Sequence, residues 1–435
     1  MRLQDQKIKQ IRVARKVSKA DLADAMYCDI DKVNKVEKGL SYYPDGHIQN
    51  AKKYLDIVDM PLTQFECDVC ENRLYIMRDY AREGRHEEAK AMCKEKAKLV
   101  NLDACDDNLP MLYRLLEVIV LIQCDDDVDG AEKKMNYLHD KVDKMTDQHK
   151  YYYYFNMATL HIFRVRYEEG LSLYKKALDI GNNSSSFTPD DIERAHLGIA
   201  VCYSYLGFPN RAIFYLRNTR ELFNYKKISI LWLYIDTMLA LNYIRVSETD
   251  EARKLLDTCL VYAKSLKNDH YYGWALYVYG VLNKQTENWD IAIDYFNQSM
   301  ECYEKGSRYF LRALYENIRC VAEMKNFAKA LRIIEDKRPL FNNHEIYATL
   351  FEALRNYVIV KKRVSIYNER NVEYLETIAI PYFIKTHEYF LAIDYYKLLE
   401  AYYDIKNKKK SLLMSEAIRK IYERCFVNSV DIERR

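Results

Sequence analysis

A small or short residue recurs at an almost constant interval along most of this chain, at Ala89, Ala131, Gly170, Ala212, Ala252, Ala292, Ala330, Val372 and Ser411. The intervals run from 38 to 42 residues. A unit of about 40 residues has room for two helices and a turn, and neither helix can bury its apolar face alone. Nine such units stacked on one another form an α-solenoid, so no single globular core is needed. With only 11 Gly and 7 Pro in 435 residues, the chain has few of the turns that many short strands require. The fold class is all-α.

The chemistry inside the units follows the same period. Twelve residues before the recurring position stands a second small residue (Ala158, Ala200, Ala240, Gly280), and nine before it often an aromatic one (Tyr80, Tyr203, Tyr243, Tyr402). Four after it comes a large residue (Tyr174, Leu216, Leu256, Phe296). These are the positions of a tetratricopeptide repeat lengthened from its usual 34 residues. The solenoid is expected over residues 64–435.

Residues 1–60 read differently. They hold 12 Lys or Arg against 9 Asp or Glu, a surplus of three equal to the net charge of the whole chain. Ile8, Ile11 and Ala14 to Val17 mark an apolar stripe, and Ser18 with Asp21 resembles a capping box opening a second helix with Leu22, Ala23 and Met26 inside. Asp29 can cap a third helix with Ile30, Val33 and Val36 inward, and Gly39 ends it. Two short helices about a tight turn form a helix-turn-helix. Lys32, Asn34 and Lys35 then face outward, where Lys can touch phosphate or guanine and Asn can pair with adenine, and Arg12, Arg15 and Lys19 would flank the same groove.

The run from Ile11 to Gly39 resembles the Cro/C1-type helix-turn-helix family in Arg12, Arg15, Leu22, Ala23, Val33, Glu37 and Gly39, with Lys19 where that family usually has Gln and Tyr27 where it usually has the turn Gly. Such a head followed by nine lengthened tetratricopeptide-like repeats resembles the RRNPP family of peptide-sensing bacterial regulators. The resemblance implies a cytoplasmic receptor whose solenoid groove binds a short signalling peptide and thereby alters binding to a double-stranded DNA operator. It also leaves open a Rap-type modulator or phosphatase of a response regulator, or a solenoid scaffold with a vestigial head. One helix-turn-helix grips a half-site weakly, so a homodimer is expected.

The first helix of each pair should line the groove. Fifteen residues before the recurring position the later units read Tyr277, Tyr315, Tyr357 and Tyr396, a stripe of amphipathic rings suited to gripping a peptide. Asn242, Asn283 and Asn317 on the same helices could bond a peptide backbone, and Arg245 and Arg319 could hold a ligand carboxylate. No catalytic signature accompanies them. Cys67 and Cys70 form a lone CxxC read as packing, the acidic run Asp125–Asp129 lacks calcium-loop spacing, and no phosphate loop or HExxH stands in the chain. The early units offer few amides, Gln123, Asn136 and Gln148, for a phosphatase to orient water. No cofactor is expected, and the polar start MRLQDQKIKQ has no signal-peptide core.

Overall fold

The computed structural model describes residues 2–57, 64–99, 108–125, 127–184, 187–222, 230–342, 344–362 and 369–427. These residues form helices and turns without a strand, and they divide into two compact units, Met1–Asn156 and Met157–Arg435. The expected junction at residue 60 lies outside the described residues.

The first unit opens with α1 (Leu3–Ala14), α2 (Lys19–Met26), α3 (Ile30–Glu37) and α4 (Asp45–Tyr54). Ser18 Oγ accepts from the Asp21 amide at 3.0 Å while the Asp21 carboxylate accepts from the Ser18 amide, which starts α2 with its first donors satisfied. Asp29 makes no side-chain cap to α3. Leu22, Ala23, Met26, Val33, Val36, Tyr43, Ile48 and Ala51 close around Ile8 as a separate small core. Ile30, expected inside, is 47% exposed, because α3 is only eight residues long and Val33 and Val36 already fill its inward arc. Ala14 is exposed as well, since α1 stops there.

The described residues then form nine helical hairpins. The first unit holds α5 (Gln64–Arg82) with α6 (His86–Leu99), α7 (Asn108–Cys124) with α8 (Val128–His139), and the start of α9 (Asp147–Phe163). The second unit continues α9 and pairs it with α10 (Tyr167–Asn182). It adds α11 (Pro189–Tyr205) with α12 (Pro209–Leu222), α13 (Ile230–Arg245) with α14 (Thr249–Ser265), and α15 (Asp269–Gln285) with α16 (Trp289–Glu301). Next come α17 (Arg308–Glu323) with α18 (Phe327–Phe341), and α19 (Glu345–Lys362) with α20 (Glu369–Tyr374) and α21 (Ile380–Lys385), the last two joined through a wider π-helical turn at Leu375–Ala379. The ninth pair is α22 (Tyr389–Lys406) with α23 (Lys408–Tyr422).

Each of the nine recurring residues is the fourth residue of a second helix, and all are buried. The site admits only a small side chain because the first helix packs against it. The small position twelve residues earlier, on the first helix, is equally tight: a Cβ at Gly280 would lie 2.5 Å from Phe296, whose ring rests on the glycine. The turns inside six hairpins also repeat. Two residues past the first helix, Gly84, Val165, Gly207, Ser247, Glu287 and Lys325 all take positive φ, between 59° and 77°. That left-handed residue ends one helix and aims the chain back along it.

Candidate functional site

Two surfaces, one in each unit, gather part of the residues singled out above. On the head, Arg12 is 9% exposed and does not reach outward. Its Nε donates to Glu37 Oε1 at 2.7 Å, its Nη2 to Glu37 Oε2 at 2.9 Å and its Nη1 to the Val17 carbonyl at 2.8 Å. The expected phosphate contact is therefore corrected: Arg12 pins α1 to α3 as a buried ion pair, because burial of Glu37 demands a bidentate partner. Lys19 donates to Asn34 Oδ1 at 2.9 Å and lies 3.5 Å from Glu37, which ties the starting turn of α2 to α3. Lys32 donates to Ser41 Oγ at 3.0 Å. Arg15 and Lys35 are exposed, Arg15 making one long bond of 3.4 Å to the Asp56 carbonyl.

Tyr27 sits between α2 and α3 with φ 57° and ψ 45°. A left-handed residue is required there to turn the chain, which is why glycine suits the position, and Tyr27 adopts the same conformation with its ring 85% exposed.

The second unit holds a cleft of about 1780 Å³. Its wall is drawn mainly from first helices, α9, α11, α13, α15, α17, α19 and α22, as the repeat pattern requires. Tyr277, Tyr315 and Tyr357 line it, and so do Arg245 and Arg319. Tyr277 stacks on Trp274 at 5.1 Å, the Tyr315 hydroxyl meets that of Tyr395 at 3.0 Å, and Tyr357 donates to Glu323 Oε1 at 2.9 Å. Burial pushes all three phenols far above the ordinary tyrosine value, so they stay neutral donors and acceptors. Tyr396, on α22, is half-buried against the core and is not on the wall, where Asp394 and Lys397 of the same helix stand instead.

The three amides are not on the wall either. Asn242 donates to Ser204 Oγ at 3.0 Å and to the Met238 carbonyl, Asn283 donates to Tyr279 O at 2.9 Å, and Asn317 donates to Asn297 Oδ1 at 2.9 Å. All are buried. The expectation that they hold a peptide backbone is corrected: their amides are used within and between helices, since a buried carboxamide must find partners inside the helix layer.

Charge along the cleft is uneven. Arg319 pairs with Asp394 and lies 3.5 Å from Glu316, which Lys284 meets at 2.7 Å. Burial raises the Glu316 carboxyl, but Lys284 and Arg319 more than reverse this and hold it below the usual range. Arg319, expected to await a ligand carboxylate, thus already has two. Lys361 is likewise matched by Glu323 at 2.5 Å. Arg245 and Arg312 differ. Arg245 Nη1 donates to the Ser204 carbonyl and hydroxyl at 2.8 and 2.9 Å, and the Arg312 guanidinium lies over Tyr205, Trp274 and Tyr277 at 5.7 to 5.9 Å from the ring centres. Arg312 was not singled out from the sequence. The signal was there: Arg308, Arg312, Tyr315 and Arg319 fall at i, i+4, i+7 and i+11 on α17, one helical face, and all four line the cleft.

Residues 230–305 match a tetratricopeptide repeat family model. Over 289 residues, 65% of this chain and 71% of the relative, the chain is 23% identical to the transcriptional activator NprA of Geobacillus stearothermophilus. Over 198 residues, 44% of this chain and 52% of the relative, it is 26% identical to the regulatory protein RapG of Bacillus subtilis (strain 168). A Rap protein solved in complex with competence and sporulation factor superposes with a TM-score of 0.72 at 14% identity, covering 82% of this chain and 99% of that one. NprR in complex with its cognate peptide NprX superposes with a TM-score of 0.67 at 17% identity, covering 81% and 99%. The chain is thus similar in sequence to regulators of the NprA and Rap type, and it shares the helical-repeat fold of the Rap and NprR structures. The cleft described above lies on that helical-repeat fold. Among the described residues no group of three or more His, Cys, Asp or Glu could hold a metal ion, and no helix is long and apolar enough to cross a membrane.

Proposed function

We propose that this protein is a cytoplasmic peptide-responsive transcriptional regulator, whose cleft binds a short peptide and whose head binds a double-stranded DNA operator as part of a homodimer. The observation that carries the reading is the cleft itself. Its first-helix wall sets neutral Tyr hydroxyls and partly open guanidiniums along a volume sufficient for an extended peptide of several residues. The NprR and Rap structures solved with NprX and with competence and sporulation factor support a peptide as occupant. For the head, exposed Arg15 and Lys35 and the half-buried Lys19, Lys32 and Asn34 supply cations and an amide beside α3. A peptide that favours one arrangement of the repeats over another shifts the population of dimers able to span two half-sites.

Two measurements test the reading. Mass spectrometry of ligands released from the protein purified from its native host should find one short peptide at near-stoichiometric yield. Gel-shift titration of genomic fragments with and without that peptide should find a fragment whose affinity changes. Absence of any bound peptide together with unchanged DNA affinity overturns it. The match to RapG favours a second reading, modulation of a response regulator. Loss of phosphate from a phosphorylated response regulator on adding this protein, with no DNA affinity, would select that reading.

A further inference from the structure

We infer that Arg245 and Arg312 together form a receptor for a carboxylate of the bound peptide, supplied by its C-terminus or by an Asp or Glu side chain. The inference rests on the peptide reading of the cleft and specifies which chemical group the cleft selects.

Both guanidiniums line the cleft, and among the described residues neither has a carboxylate within hydrogen-bonding distance. Among the described residues Arg245 bonds through Nη1, toward Ser204 and, at 3.3 Å, Asn242 Oδ1, and its Nε and Nη2 meet no acceptor there. Among the described residues Arg312 makes no ion pair, and rings cover its faces: Tyr205 at 5.9 Å, Trp274 at 5.7 Å and Tyr277 at 5.7 Å. Arg245 in turn lies over Phe390 at 5.3 Å. A guanidinium whose faces are occupied by aromatic rings presents its N–H edge, and that edge matches the two oxygens of a carboxylate.

Other cations of the cleft are already paired. Arg319 and Lys284 are taken by Asp394 and Glu316, and Lys361 by Glu323, whereas Arg245 on α13 and Arg312 on α17 act on each other as like charges. Burial pushes the Arg245 guanidinium below its ordinary value, the Arg312 charge adds to that push, and Glu388 opposes it. Two confined like charges repel, and a carboxylate between them relieves the repulsion while gaining charge-assisted hydrogen bonds. Glu388 is the acid that acts electrostatically on both arginines without bonding either, which makes it the internal competitor of the ligand.

The full-length protein is incubated with two random hexapeptide pools, one with free C-termini and one amidated, and retained peptides are sequenced by mass spectrometry. A C-terminal receptor enriches the free pool regardless of composition. A side-chain receptor enriches Asp or Glu at one fixed position in both pools. Arg312→Gln and Arg245→Gln should each weaken the selected peptide about ten- to a hundredfold, the range expected when a hydrogen bond to a charged group is lost. Glu388→Gln should tighten it severalfold, a gain that no folding defect can imitate, and Arg312→Lys should recover only part of the loss. Enrichment of peptides with no carboxylate preference, or wild-type affinity in both arginine variants, overturns this inference and leaves the peptide reading standing. A pool from which nothing is retained overturns both.

Discussion

Arg12 and Lys35 are cations of the same small head, and their surroundings give them different work. Arg12 meets Glu37 with two bonds in a nearly dry setting, whereas Lys35 is exposed on α3. Removing one partner of a buried pair strands the other charge, so Arg12→Ala should cost the head about 3 kcal/mol and lower its unfolding midpoint in urea. Lys35→Ala should leave that midpoint unchanged and weaken operator binding by about 1–3 kcal/mol if the amine reads a base, or weaken all DNA equally, with the salt slope falling by about one, if it touches phosphate. Denaturant unfolding followed by gel shifts over a salt series separates the two residues. An Arg12 variant with native stability would remove the ion pair from the head's support, and a Lys35 variant with native affinity would remove α3 from the DNA. Both residues carry one positive charge at an apparently outward helical position, so pattern alone treats them alike. Only the approach of Glu37 from another helix distinguishes them.

Helices and turns carry the repeat, and two of their positions make measurable claims. The ring of Phe296 rests on Gly280, where a Cβ would come within 2.5 Å. Gly280→Ala should cost up to about 2 kcal/mol, because overpacking of about 1–3 kcal/mol is set against a gain of about 1 kcal/mol in helix propensity. Thermal unfolding checks it, and a stabilised variant would mean that α15 and α16 can move apart freely. Tyr27 gives the opposite sign. Its side chain is exposed while its backbone is left-handed at φ 57°, so Tyr27→Gly should stabilise the head by about 1 kcal/mol. A loss instead would show that the Tyr27 ring has a folded-state contact worth more than the strain. These elements were legible in advance: the spacing of small residues predicts all nine second helices, each beginning three residues earlier. The inward face of α3 was less so. Three apolar residues at helical spacing imply three buried ones, yet Ile30 stays out because a helix of eight residues has only one arc against so small a core.

At the scale of the molecule, pH offers a test of burial across both units. Burial pushes the imidazoles of His196 and His387 below the ordinary histidine value, and does the same to His86, where Lys90 adds to the push. Below about pH 6.5 the unfolded chain takes up protons that the folded chain declines, so the unfolded state binds more protons and stability rises with pH through that window. The melting temperature should therefore fall as pH is lowered from 7.5 to 5.5, and His196→Gln should flatten part of the slope in the second unit. A flat profile in the wild type would show that these rings keep their hydration in the fold. The all-α class, the nine hairpins and their second-helix positions were determined by the sequence alone, because helical period and small-residue spacing are local properties of a repeating chain. Which side chains remain available to a ligand was decided by tertiary structure. Asn242, Asn283, Asn317 and Arg319 looked free along their own helices and are satisfied by neighbouring turns or helices, while Arg312 looked ordinary and is left among rings without an acid. A polar group's partners come from residues tens of positions away, and only packing brings them within a hydrogen bond's reach.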